Sequence, residues 1–78
     1  MNFKQEGVDM LSDALRRLRI EKGYSQAYLS KKCNLPRTTY RDIESGKVKN
    51  PTLFQICRLC IGLEITPNEL IPEYYYKR

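Results

Sequence analysis

Histidine is absent from this chain of 78 residues, and the nine acids are outnumbered by fourteen lysines and arginines. No Ser, Thr, Cys or Lys has a base at a recognisable spacing to activate it, and the few carboxylates are scattered. The chain therefore reads as a non-enzyme. Cysteine is scarce as well. Cys33, Cys57 and Cys60 form an odd set, and the last two stand three apart in a helical stretch, a poor geometry for a mutual disulfide. Structural zinc takes four Cys or His ligands, which three thiols without an imidazole do not supply, so neither a metal nor another cofactor is expected. The thiols read as small buried hydrophobes.

Long apolar runs are missing too. Nothing approaches the roughly 20 residues needed to span a bilayer. The opening MNFKQEGVDM has no signal-peptide apolar stretch, so a cytoplasmic protein with no membrane role is expected. Alternating apolar and polar residues never persist for five positions, which argues against strands. There are no repeats and no low-complexity linker. The length suits one domain over residues 1–78 that buries roughly 60% of the unfolded chain's surface. Its core is expected at about residues 9–71, between a short arm (1–8) and a tail (72–78).

What the chain does have is basic charge in one place. From Arg16 to Lys49 there are ten basic residues and three acids, a net of +7, so the total of +5 belongs to this central stretch. A basic face on a small domain speeds encounter with polyanions and supplies the sequence-independent part of nucleic-acid affinity.

Helical periodicity organises the rest. Leu11, Leu15 and Leu18 predict an amphipathic helix over 9–22, ended by Gly23. Ser25 is a good N-cap for a second helix to about Cys33, with the Gln26 amide facing solvent at its first position, an end that can hold a phosphate. Asn34 tolerates a left-handed turn, and Pro36 presets the start of a third helix over about 36–45. After a basic loop, Leu53, Ile56, Leu59, Cys60 and Leu63 mark the buried stripe of a fourth helix, and Asn68 to Ile71 form a short fifth. The fold expected is all-α.

In residues 25–46, SQAYLSKKCNLPRTTYRDIESG, the spacing of Leu29, Leu35, Tyr40 and Ile43 gives two short helices one shared core. Arg37, Thr38 and Arg41 are left facing outward. A helix carrying donors in that pattern fits the major groove of B-DNA, where guanidinium and hydroxyl groups bond to base edges. Arg37 is the leading base reader, with a phosphate contact as the plainer reading. Thr38 either touches a thymine methyl or caps the helix start, and Arg41 meets either base or phosphate. Asp42 either accepts from a cytosine amino group or holds Arg41 or a nearby Lys in an ion pair.

The run Leu15-Arg16-Arg17-Leu18-Arg19, then Gly23-Tyr24-Ser25-Gln26, Leu29, Asn34-Leu35, Ile43-Glu44-Ser45-Gly46-Lys47, Pro51 and Leu63-Glu64-Ile65-Thr66 resemble the Cro/repressor (XRE-like, lambda-repressor-like) helix-turn-helix pattern. The likeness covers about residues 11–71. It implies a compact five-helix bundle whose third helix reads double-stranded DNA, and a transcriptional regulator acting as a homodimer on a palindromic operator. It further implies phosphate contacts by Gln26, Lys47 and Lys49, base contacts by Arg37, Thr38, Arg41 and Asp42, and an Arg19–Glu44 ion pair joining the first and third helices.

Some positions depart from that pattern. Asn34 replaces the usual turn Gly and Ser30 the usual Ala, while Arg41 and Asp42 make the base preference this chain's own. Phe54 and Ile61, seven apart where polar residues are usual, suggest a dimer interface. The Tyr74 to Tyr76 cluster extends that interface, stacks elsewhere or is frayed. Occupancy of DNA would be set by protein concentration or by a regulatory protein partner. The rival reading is a protein-interaction adaptor that keeps the fold and acts through Phe54, Ile61 and the tyrosines.

Overall fold

In a computed structural model the chain forms α1 (Phe3–Glu21), α2 (Gln26–Lys32), α3 (Arg37–Glu44), α4 (Leu53–Leu63) and α5 (Pro67–Leu70). The structure describes the backbone of residues 3–71 and the side chains of residues 11–71. The tyrosine cluster at 74–76 lies outside the described residues. Among those residues there is no strand, and no helix is long and apolar enough to cross a membrane.

Helix α1 begins at Phe3, earlier than its leucine stripe alone indicates. Leu11, Leu15 and Leu18 face the core, while Arg16 and Arg17 lie outside and pair along the helix with Asp13 (3.1 Å) and Glu21 (3.5 Å). Gly23 then adopts φ +75°, a region that costs other side chains strain. The reversal lets the N–H groups of Gly23 and Tyr24 donate to the carbonyls of Ile20 and Arg19 at 2.9 and 3.1 Å.

Ser25 caps α2 as its sequence indicates, its Oγ accepting from the Tyr28 N–H at 3.0 Å. Ser30, where the related pattern has Ala, is buried but satisfied: its hydroxyl donates to the Ala27 carbonyl at 2.9 Å. Asn34 takes the left-handed conformation of the turn at φ 56°. Pro36 stands at the N-cap of α3, one position before the first helical residue.

Thr52 and Gln55 form a capping box at the start of α4. The buried stripe of this helix is Ile56, Leu59, Cys60 and Leu63. Leu53, expected to belong to it, is 79% exposed, because at the first position of α4 no other element among the described residues covers it. The cysteine expectation is also corrected in part. Cys33 and Cys60 are buried, but Cys57 points away from the stripe and is exposed.

Two contacts fix α4 against α2. Gly62 is buried against Cys33, and Arg58 turns inward so that its Nε donates to the Cys33 carbonyl at 2.9 Å, satisfying an acceptor at the end of α2. Helix α4 ends on Glu64 in a left-handed conformation at φ 58°. Helix α5 follows, with the Thr66 N–H donating to the Glu69 carboxylate at 3.0 Å and Leu70 closing the core.

Candidate nucleic-acid interface

Eight residues, RTTYRDIE, make up α3, and its two sides differ sharply. Tyr40, Ile43 and Glu44 are buried, at 0%, 1% and 6% exposure. Arg37, Thr38 and Arg41 are exposed, and Asp42 and Thr39 lie at the edges, partly covered. With 3.6 residues per turn, the exposed set at relative positions 0, 1 and 4 forms one continuous outward strip. Asp42 has no ion pair with Arg41 or with any lysine among the described residues, so the local pairing considered for it is not formed.

The loop after α3 is tied back to it. Gly46 turns the chain at φ +87°, and the Val48 N–H donates to the Asp42 carbonyl at 3.1 Å. Val48 packs partly buried against the core, which leaves Lys47 and Lys49, one on each side of it, exposed. The expected cationic loop is therefore an anchored one.

Glu44 gathers four donors from three helices. Its Oε1 accepts from Arg19 Nε and from the Tyr40 hydroxyl, both at 2.7 Å. Its Oε2 accepts from Arg19 Nη2 at 3.1 Å and from Gln26 Nε2 at 2.6 Å. A third Arg19 nitrogen, Nη1, donates to the Tyr24 carbonyl at 2.9 Å. The Arg19–Glu44 pair implied by the family resemblance is thus formed, in bidentate geometry, with side-chain exposures of only 15% and 4%.

Electrostatics follow from that crowding. Burial pushes the Glu44 carboxyl upward, but the hydrogen bonds from Arg19, Tyr40 and Gln26 outweigh it and hold the group below its ordinary value. The bond to Glu44 raises Arg19 against the opposing effect of burial. Burial, and then the carboxylate it donates to, lift Tyr40 far above the usual phenol range, so it remains a donor.

The position of Gln26 is a correction. Its amide does not face open solvent; it is partly buried and donates to Glu44. Sequence reasoning also missed the Tyr40 hydroxyl, which looked like one more core aromatic. The available signal was the four-residue spacing of Tyr40 and Glu44, which puts them on one helix face.

Among the described residues, no group of three or more His, Cys, Asp or Glu side chains is placed to hold a metal. Phe54 and Ile61 lie on the outside of α4, 68% and 59% exposed.

Comparison with known proteins agrees with this architecture. A helix-turn-helix family profile matches residues 15–70. The restriction-modification controller protein C.AhdI from Aeromonas hydrophila superposes with a TM-score of 0.75 at 35% identity, covering 81% of this chain and 94% of that one. A tyrosine-to-alanine mutant of the restriction-modification controller protein C.Esp1396I superposes with a TM-score of 0.73 at 29% identity, covering 91% and 96%. The comparison with curated proteins gives no match. With the matched profile spanning most of the chain and α3 presenting its cationic strip outward, the protein belongs to the XRE-like helix-turn-helix family and is a DNA-binding transcriptional regulator.

Proposed function

We propose that this regulator is of the restriction-modification controller type and binds a palindromic operator as a homodimer. In this reading α3 enters the major groove, where Arg37 reads a guanine edge, Thr38 and Arg41 contact neighbouring positions, and Asp42 stands at the rim of the contact. Gln26, Lys47 and Lys49 hold the sugar-phosphate backbone on either side. The protein acts in the cytoplasm by occupying DNA and carries out no chemistry of its own.

The observation that supports this best is the two-sided character of α3. Tyr40, Ile43 and Glu44 lock one side into the bundle, which leaves Arg37, Thr38 and Arg41 as a rigidly presented row of donors. Base contacts specify only when such a row is held in register, and cations on an anchored loop provide that register. The likeness to two controller proteins, 35% and 29% identical, supports the biological role.

Dimerisation follows from both charge and shape. One domain of this size neutralises few phosphates, so a pair of domains is the economical route to tight binding at cellular salt. A chain of net charge +5 meets its own copy most easily through a face without charge. Helix α4 has such a face: Leu53, Phe54, Cys57 and Ile61 are exposed, and its lone charged residue, Arg58, is turned inward.

Selecting bound sequences from a randomised DNA pool tests the reading. Two inverted half-sites, centred about 34–36 Å apart, are expected. A pool without enrichment, from folded protein, would overturn it in favour of an adaptor acting on another protein, and a lone half-site would overturn the dimer.

A further inference from the structure

We propose that Glu44 is a positioning residue for DNA binding: it holds the Gln26 amide so that the second N–H on the same nitrogen is offered to a backbone phosphate. The inference rests on reading Gln26 as a phosphate contact and assigns that contact a built support.

A carboxylate accepts hydrogen bonds and donates none, so the Gln26 amide must turn its nitrogen, not its oxygen, toward Glu44. The 2.6 Å bond uses one of the two hydrogens on that nitrogen. Glu44 in turn has no freedom to follow Gln26 outward. Arg19 holds both of its oxygens and Tyr40 holds one, at 2.7–3.1 Å.

Burial is graded across the cluster. Tyr40 is fully buried, the Glu44 side chain is 4% exposed, and Gln26 is partly open at the first position of α2, so it is the member able to reach a ligand. Charge is arranged to suit. The guanidinium of Arg19 cancels the carboxylate, so the acid beneath Gln26 does not confront a phosphate as a bare anion. A free glutamine side chain would lose rotamer freedom on reaching a phosphate, whereas one already held by Glu44 has lost that freedom on folding. The same bond ties α2 to α3, so the phosphate contact and the base-facing strip share one rigid frame.

A double-mutant cycle on binding to a mixed-sequence DNA duplex tests this. Gln26→Ala should weaken binding by about 2- to 10-fold, the net contribution of one hydrogen bond. Glu44→Gln and, separately, Tyr40→Phe should weaken binding when Gln26 is present and have little further effect in the Gln26→Ala background. Tyr40→Phe keeps the buried ring and serves if Glu44→Gln folds poorly. The cycle also removes any direct effect of the freed Arg19 charge, which is the same in both backgrounds. Equal losses in both backgrounds would make Glu44 scaffold alone and overturn the proposal while leaving the Gln26 contact intact. No loss on Gln26→Ala would overturn both.

Discussion

Gly62 faces Cys33 so closely that a methyl group at 62 would stand about 3.0 Å from the Cys33 backbone nitrogen and Cα, with the thiol nearer still. Neither backbone atom belongs to a flexible side chain that can step aside. We therefore expect Gly62→Ala to destabilise the fold by about 1–3 kcal/mol through overpacking, despite the better helix propensity of alanine. Urea unfolding of the two proteins checks this, and an unchanged midpoint would show that α2 and α4 separate easily.

The Arg19–Glu44 pair makes stability depend on acid. The folded carboxyl is held below the ordinary value of 4.5, so its contribution is complete above that pH and is lost as pH falls through the lower, folded value. Arg19→Ala leaves Glu44 buried without its counter-charge and should cost about 3–5 kcal/mol at neutral pH. Unfolding midpoints across a series of acidic pH values should fall less steeply for this variant than for the parent. Parallel curves would count against the pair as the source.

Arg37→Ala should weaken binding to a selected operator by about 1–3 kcal/mol more than binding to random DNA. Lys49→Ala should weaken both alike and reduce the salt slope by about 1. Titrations at several salt concentrations separate the two roles, and equal losses on both DNAs for Arg37→Ala would remove it from the base-reading set.

Phe54→Asp places a charge on the neutral α4 face without touching the core, since Phe54 is 68% exposed. The variant should keep its helicity and sediment as a smaller species. An unchanged sedimentation profile would exclude this face as the interface.

The thiols should divide by position. Cys57 is exposed in the single chain on the α4 face proposed to join two copies, so it should react promptly with an alkylating reagent in the folded Phe54→Asp variant and more slowly where that face is covered. Cys33 is buried, with burial pushing its thiol up to about 11, and the Cys60 thiol is raised for the same reason. Both should react only on unfolding. Mass spectrometry after a timed pulse reads this directly.

Much of the architecture was legible because each helix announces itself locally. Ser25 caps, Gly23 and Asn34 turn left-handed, and the leucine spacings select one face. What escaped were features decided by neighbours distant in sequence. Glu64 takes a left-handed conformation that its side chain does not advertise, and Leu53 sits in step with the apolar stripe yet is exposed. The outward row Arg37, Thr38 and Arg41 was visible in the pattern of α3. The Gln26–Glu44 bond was not, because its partners are 18 residues apart and meet only once α2 and α3 have docked.

Tyr40 and Glu44 have a further consequence for how such a protein can diversify. All the residues that clamp α3 lie on its inner side, so its outward positions are free to be exchanged without loosening the clamp. New target preferences can then be acquired by swapping two or three surface letters, while the inner ones stay fixed as the shared mount.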